Sequence, residues 1–340
     1  MPDPRFDESA IRAAARLLER GELVAFPTET VYGLGADAEN PAAVARIYAA
    51  KGRPANHPVI VHLAPEADIG RWANPVPEEA RRLMEAFWPG PLTLILKRAA
   101  SIPDSVSGGQ DSIGLRCPSH PVAQALLREF KKGQGGVAAP SANKFGHVSP
   151  TTAQHVREEF GTGAGSALAC VLDGGQSEVG IESTILDLSR LATHGPVLLR
   201  PGHISASRLA DVLGAMPNTP DAAAPRASGT LEAHYAPRTP VALADSGELA
   251  SVAERLRAAQ RRLALMTYSG AVVPNAAHIR MPADPAGYAH DLYAALRSLD
   301  GARADVILVE SPPREPAWQG VNDRLRRAAH DSAGILERLG

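Results

Sequence analysis

The chain of 340 residues is short of several things, and each shortage removes a class of protein. It has two cysteines, Cys117 and Cys170, far apart and without a CxxC pair. A disulfide scaffold and a zinc knuckle are therefore not expected, and both thiols read as small core groups of a reducing compartment. Aromatic residues make up only 4%, so Ala, Val, Leu and Ile must fill the cores. No apolar run approaches the ~20 residues needed to span a bilayer. The opening MPDPRFDESA lacks the positive-then-apolar order of a secretory signal, so the expected location is the cytoplasm with no membrane partner. The net charge of −2 speaks against a protein whose main task is gripping nucleic-acid backbone, although a local basic pocket remains possible. There is no GxxxxGK[ST] phosphate loop, no GxGxxG after the first strand, no HExxH and no GxSxG. The 11 histidines are scattered without metal-ligand spacing, so protein-metal and covalent serine catalysis are weak readings.

What is present is an ordinary soluble balance, 44% hydrophobic and 21% charged, with 29 prolines and 30 glycines to fix many turns. Asp7 reads as the N-cap of a helix with an Ile11, Ala14, Leu18 stripe that stops at Gly21. Leu23 to Phe26 reads as a strand, Thr28 to Gly35 as a polar loop, and Pro41 to Ala50 as a helix. Further strands are expected at 59–63, 92–96, 113–115, 137–139, 168–172 and 184–188, with helices at 78–88, 121–130 and 151–160. Alternating strands and helices predict a mixed α/β domain over 1–213. Residues 214–239, rich in Ala, Pro, Ser, Thr and Gly, read as a linker. A smaller three-layer α/β domain is expected over 240–340, with strands at 241–243, 263–267 and 306–309 and helices at 248–261, 286–299 and 321–329.

Six polar clusters stand out, each expected just after a strand, where open α/β sheets place ligands. They are Pro27 to Gly35 (PTETVYGLG), Lys51-Gly52-Arg53-Pro54 with His57 and His62 beyond, Ser112 to Arg116, Pro140 to Asn143 (PSAN), Gly180 to Thr184 and Leu199 to Gly202. Lys51, Arg53, Arg116 and Arg200 bring four cations, Glu29 and Glu182 two anions. Four cations among hydroxyls and Asn suit a polyanionic ligand, because Arg clamps phosphate or carboxylate with a two-pronged fork. Taken singly, each has a plainer reading. Lys51 and Arg53 could complement a helix C-terminus, Arg116 could form a surface ion pair, Ser141 and Asn143 could form a turn, and His62 could be a core histidine.

Together and in this order, PTETVYGLG, KGRP with HPVIVH, GLR, PSAN, ESTILD and LRPG resemble the YrdC/Sua5 family of L-threonylcarbamoyladenylate synthases over about residues 8–210. His234-Tyr235-Ala236-Pro237 and Gly320 to Leu325 extend the resemblance to the two-domain Sua5 type. It implies a YrdC-like twisted mixed sheet followed by a Rossmann-like domain. It also implies the reaction of L-threonine, bicarbonate and ATP, with magnesium, to threonylcarbamoyl-AMP and pyrophosphate. The product would pass to a separate transferase machinery for N6-threonylcarbamoylation of adenosine 37 in tRNA, with possible weak tRNA contact.

By that match Thr30, His62, Arg116, Ser141 and Ser183 would hold threonine, with Arg116 on its carboxylate. Arg53, His57, Ser112, Asn143, Thr151, Arg200 and Tyr235 would hold ATP. Lys51 and Arg53 would be catalytic, Lys51 neutralising charge that develops on phosphate or carbamate. Magnesium would ride on ATP, and Tyr235 would close over the nucleotide as part of a lid. His57 stands where related sequences often carry Asn, and Ala227-Ser228-Gly229 where Ser-Pro-Gly is common. The alternatives are an RNA-binding or threonine- and ATP-sensing protein on the same fold. A hydrogenase-maturation type carbamoyltransferase would need zinc-finger cysteines that two isolated cysteines cannot supply.

Overall fold

The computed structural model describes residues 7–163, 165–270 and 276–339; the first six residues of the opening stretch lie outside them. The chain divides into two compact units, residues 1–145 with 150–230, and residues 146–149 with 231–340.

The first unit begins with α1 (Glu8–Glu19), capped as expected by Asp7, whose side chain accepts the Ser9 and Ala10 amides. β1 (Val24–Phe26) follows, then β2 (Gly33–Asp37). β2 was expected to be loop, and the difference has a physical cause. Gly33 and Gly35 carry no side chain and lie against the Phe26 ring, so the strand has no apolar alternation to read. A Cβ on Gly35 would stand 2.9 Å from Phe26 and 3.0 Å from Val137. α2 (Pro41–Lys51) is capped by Asn40, starts on a proline and ends at left-handed Gly52. β3 (Ile60–Leu63), α3 (Glu78–Phe87), β4 (Leu92–Lys97), β5 (Ser112–Arg116), α4 (Pro121–Glu129), β6 (Gly136–Ala138) and α5 (Ala153–Phe160) lie close to their expected positions. The strand expected over 168–172 shrinks to β7 (Cys170–Val171), half-buried at the sheet edge. β8 (Thr184–Asp187), α6 (Leu191–His194), β9 (Val197–Arg200) and α7 (Ala206–Leu213) complete the unit; the two helices were not anticipated.

The nine strands form one mixed sheet in the order β7-β1-β2-β6-β3-β5-β4-β8-β9. Side chains alternate between its faces. On one face Leu23, Ala25, Val61, Leu63, Leu92, Leu94, Leu96, Ile113, Leu115 and Leu186 pack with α2, α3, α5 and α7. On the other, Val24, Phe26, Val137 and Ala139 pack with α1 and α4. That second cover stops partway across. Over β3, β4, β8 and β9 the same face carries Ile60, Ile95, Ile185, Val197 and Leu199, covered by Ala227 from the segment after α7.

The second unit holds four strands, all parallel: β10 (Val241–Ala244), β11 (Leu263–Thr267), β12 (Ala277–Arg280) and β13 (Val306–Glu310), in the order β10-β13-β11-β12. β12 was missed because AHIR is short, polar and partly exposed on an edge. α8 (Leu249–Ala258) and α11 (Ile335–Leu339), the latter also unanticipated, cover one face. α9 (Pro285–Asp300) packs on β11 and β12, and α10 (Gln319–Ala328) packs on α9. The three-layer α/β expectation holds. Among the described residues no helix is long and apolar enough to cross a membrane.

Gly136 tests the sheet packing. A Cβ there would stand 2.5 Å from Trp72 and 2.6 Å from Val61, with no flexible group to give way. Gly136→Ala is expected to destabilise the fold by roughly 1–3 kcal/mol through overpacking, seen as a lower urea midpoint with unchanged circular dichroism in buffer.

Candidate active site

Where the helical cover stops, the sheet face turns polar. The positions on that face are Ile60 and His62 on β3, Ser112, Gly114 and Arg116 on β5, and Thr93 and Ile95 on β4; their chain neighbours belong to the opposite core. Strand pairing sets His62 directly beside Arg116. Four chain segments gather around this floor. The 27–35 loop is tied to the 140–143 loop, with the Leu34 amide on Pro140 O and the Ala142 amide on Tyr32 O. The Val179 amide binds Glu29 O at 2.7 Å, which brings in the segment before β8. The fourth is the 226–230 stretch.

The clusters do not all follow strands as expected. Lys51 is the last residue of α2, Ser112 to Arg116 is itself a strand, and Gly180 to Ser183 precedes one. The floor is reached by a helix end, strand faces and loops together, so chain position relative to strands was an incomplete guide.

Arg116 is no surface ion pair. It is 4% exposed, and its Nη2 donates to Glu29 Oε1 at 2.6 Å. Its Nη1 donates to Thr30 Oγ1 at 2.8 Å, and the buried Nε–H has no hydrogen-bond partner among the described residues. Glu29 Oε2 accepts the Ser119 amide at 3.1 Å. Thr28 orders the hydroxyls. Its O–H donates to Val31 O at 2.6 Å, so Thr30 O–H must be the donor in the 2.9 Å contact between the two threonines. Thr30 therefore meets Arg116 as an acceptor.

The His62 Nδ1 is also buried, with no hydrogen-bond partner among the described residues. Burial first, and the Arg116 charge second, push the His62 pKa down to about 3, so the imidazole is neutral at physiological pH. Cys117, next to Arg116, is raised by burial to about 12, which leaves it a protonated thiol and no nucleophile.

Lys51 lies under the same site, 3% exposed. Its ammonium donates to Ser141 O at 2.5 Å and to Asn143 O. Burial and nearby Arg53 pull its pKa well below the usual lysine value, while the two carbonyls favour the charged form. The helix-terminus reading is met, since Lys51 closes α2.

Ser183 Oγ meets Thr93 Oγ1 at 2.8 Å, and Arg200 donates to Ser183 O through Nε at 3.1 Å and Nη2 at 2.9 Å. Thr93 escaped sequence reading because it sits in the apolar run LTLILK. Two observations bear on the expectation that four cations suit a polyanion. Arg116 is already paired with a buried carboxylate. Arg53 and Arg200 each turn an Nη group to the segment after α7, Arg53 to Ser228 Oγ at 3.2 Å and Arg200 to Ser228 O at 2.6 Å; Arg53 Nη2 also donates to Pro58 O at 2.7 Å, just ahead of β3.

Ser112 and Gly114 line a small cavity with Ile60, Ile95, Ala227 and Ser228. The remaining nucleotide candidates are more scattered. The His57 ring lies edge-on to Phe145, and Thr151 Oγ1 sits 3.4 Å from His155 Nδ1. Tyr235 belongs to the second unit, at φ +63°, its ring 5.5 Å from the Arg324 guanidinium and 5.8 Å from the Tyr293 ring. Among the described residues no group of three or more His, Cys, Asp or Glu is placed to hold a metal ion.

Comparison with known proteins agrees with this architecture. Residues 16–202 match the family model for Sua5, YciO and YrdC proteins, described as telomere recombination. Residues 204–330 match a model described as the C-terminal domain of threonylcarbamoyl-AMP synthase. The threonylcarbamoyl-AMP synthase of Pyrococcus abyssi is 38% identical over 96% of this chain and 95% of its own length. That of Bacillus subtilis is 38% identical over 95% and 94%. The crystal structure of P. abyssi Sua5 complexed with L-threonine superposes with a TM-score of 0.86 at 35% identity, covering 96% of this chain and 95% of that one.

The depressed His62 pKa makes a stability prediction. An unfolded imidazole takes up its proton near 6.5, the folded one only near 3. In that window the unfolded state binds more protons, so stability falls as pH drops, by up to about 1.4 kcal/mol per pH unit. Urea titrations between pH 7 and 4 should show this slope, and His62→Gln should lose that share of it.

Proposed function

Because the chain belongs to the Sua5/YciO/YrdC family and its full-length relatives are threonylcarbamoyl-AMP synthases, we propose that it forms threonylcarbamoyl-AMP from L-threonine, bicarbonate and ATP, releasing pyrophosphate. It is an enzyme of adenylate transfer. The amine of threonine adds to bicarbonate-derived CO2 and loses a proton to give a carbamate. A carbamate oxygen then attacks the α-phosphorus of ATP, and pyrophosphate leaves. Neither step needs a nucleophile from the protein, in keeping with a protonated Cys117 and a floor of fixed donors. Catalysis is then positioning and electrostatic stabilisation.

The observation that carries the substrate assignment is the pair of buried, partnerless groups side by side on the floor, Arg116 Nε–H and His62 Nδ1. A buried donor without an acceptor costs about 1–3 kcal/mol, so such a pair fits a site completed by ligand. A carboxylate on Arg116 would satisfy the first. Thr30, Ser141 and Ser183 would surround the rest of the amino acid, as suits a chain so close to a relative crystallised with L-threonine. Arg53, Ser112, Asn143, Arg200 and Tyr235 would hold ATP, with His57 and Thr151 at its margin. Residues 214–239 would act as linker and lid between a catalytic domain over 1–213 and a C-terminal domain over 240–340. Arg53 and Arg200 would exchange their contacts to Ser228 for phosphate oxygens. Lys51, fixed on two carbonyls of the 141–143 loop, would supply positive charge near the reacting groups.

Magnesium would enter on the triphosphate, a mode that needs few protein ligands and supplies charge neutralisation there. The donor set around the floor, cations and hydroxyls with Glu29 already engaged, suits a metal brought by the nucleotide better than a resident one. The cytoplasm is the proposed compartment, and delivery to a tRNA-modifying transferase the proposed fate of the product.

Pyrophosphate release should require L-threonine and bicarbonate together. Arg116→Ala should lower kcat/KM for threonine by at least ~100-fold, the cost of losing a buried charged contact. Lys51→Met should lower kcat more than it raises either KM. Release without threonine, or wild-type activity in Arg116→Ala, would refute the assignment.

A further inference from the structure

We propose that Glu29 is a positioning residue for Arg116, and that the buried pair, rather than Arg116 alone, selects an amino-acid zwitterion over a simple carboxylate. The inference rests on the reading of Arg116 as the carboxylate holder and adds how its guanidinium is presented and why the ligand must carry an amine.

Glu29 is 3% exposed and held from three sides. Oε1 accepts Arg116 Nη2 at 2.6 Å, Oε2 accepts the Ser119 amide at 3.1 Å, and its own carbonyl accepts the Val179 amide at 2.7 Å. The contact to Ser119 is decisive. Carboxylate and guanidinium usually meet through two parallel hydrogen bonds. Here the second oxygen is held by a backbone amide, so Glu29 makes one prong only. Thr30 Oγ1 takes Nη1, and Nε–H stays buried and free. The result is an arginine whose charge is compensated but whose donors are not all satisfied. Its Nε edge remains available for a second carboxylate, at an orientation fixed by Glu29 and Thr30.

That second carboxylate would enter beside the first. The pair Arg116 and Glu29 is neutral overall and the Lys51 ammonium is held on the Ser141 and Asn143 carbonyls, so at the pair itself a plain carboxylate would bring a negative charge that no adjacent group offsets. An amino acid brings its own ammonium, which the Glu29 carboxylate attracts. The neutral His62 adds no positive charge to offset a lone anion. The pocket therefore matches a ligand of zero net charge with its two charges on adjacent carbons.

The test uses the full chain, with L-threonine and its des-amino counterpart 3-hydroxybutyrate as probes in calorimetry and in the pyrophosphate assay. Wild type should bind threonine well ahead of 3-hydroxybutyrate. Glu29→Gln should raise the KM for threonine roughly ten- to a hundredfold, the usual cost of breaking a buried charged pair, and leave the KM for ATP within about twofold. It should also narrow the preference for threonine over 3-hydroxybutyrate, and Glu29→Asp should restore part of it. Equal binding of the two probes to wild type overturns the proposal, and needs no variant. So does a Glu29→Gln protein whose preference is unchanged while both KM values and the melting temperature shift together, since that is a structural role only. Arg116→Ala separates the two levels. If it binds threonine normally, the carboxylate-holder reading itself fails; if it loses threonine while Glu29→Gln keeps both the wild-type KM for threonine and the wild-type preference over 3-hydroxybutyrate, only the present inference fails.

Discussion

A buried guanidinium must be compensated where it lies, and much of the first unit can be traced to that requirement. Arg116 stands on β5, a strand whose alternate residues Ile113 and Leu115 are fully inside the core. Its charge cannot reach solvent, and taking an ion out of water costs several kcal/mol unless a partner is close and well aligned. Glu29 supplies the charge and Thr30 a further acceptor. Both sit on a loop that must therefore cross to the middle of the sheet. Thr28 fixes that loop on Val31, Ser119 and Val179 fix Glu29, and the 140–143 loop is bonded to Tyr32 and Leu34. The loops around the floor are thus rigid for the same reason that the arginine can be buried.

Close backbone approach is the second constraint. β2 can pair with β1 and lie against Phe26 only because Gly33 and Gly35 have no side chains. On the floor, a Cβ at Gly114 would stand 3.2 Å from Ile95, so glycine there keeps the lined cavity open next to Ser112. The face without helical cover is polar at β3, β4 and β5 and apolar at its margin. Ala227 packs on that apolar margin from the segment whose Ser228 meets both Arg53 and Arg200.

Much of this was legible in the residues. The strands with apolar alternation or continuous apolar runs, β3, β4, β5, β6 and β8, and the capped helices α1 and α2 could be placed within a few residues. The elements that escaped lack a hydrophobic period. β2 is glycine-rich, β12 is a short polar edge, and α6 has four residues. The cations of the site were visible as charges flanking apolar runs. Their partners were not, because Glu29 and Arg116 are 87 positions apart and no local pattern announces the pairing. Thr93 was hidden in LTLILK, although a hydroxyl on the same strand face as Ile95 is the kind of polar interruption that marks a floor. Tyr235 was legible as a candidate in its motif, while its membership of the second unit, against Arg324 and Tyr293, depends on tertiary structure alone.

The order of the hydroxyl protons gives the chemistry a direction. Thr28 donates to a carbonyl, which makes Thr30 donate to Thr28, which leaves Thr30 an acceptor toward the site and toward Arg116. His62, neutral because of burial and the adjacent guanidinium, can accept or donate through Nδ1 without carrying charge. The floor thus offers one compensated cation with a free N–H edge, an acceptor hydroxyl and a neutral imidazole. An arrangement of that kind can orient an amino acid by its carboxylate. For the amino acid's nitrogen to become a nucleophile, the ammonium that Glu29 attracts must first give up a proton, because a nitrogen whose lone pair is protonated cannot add to carbon.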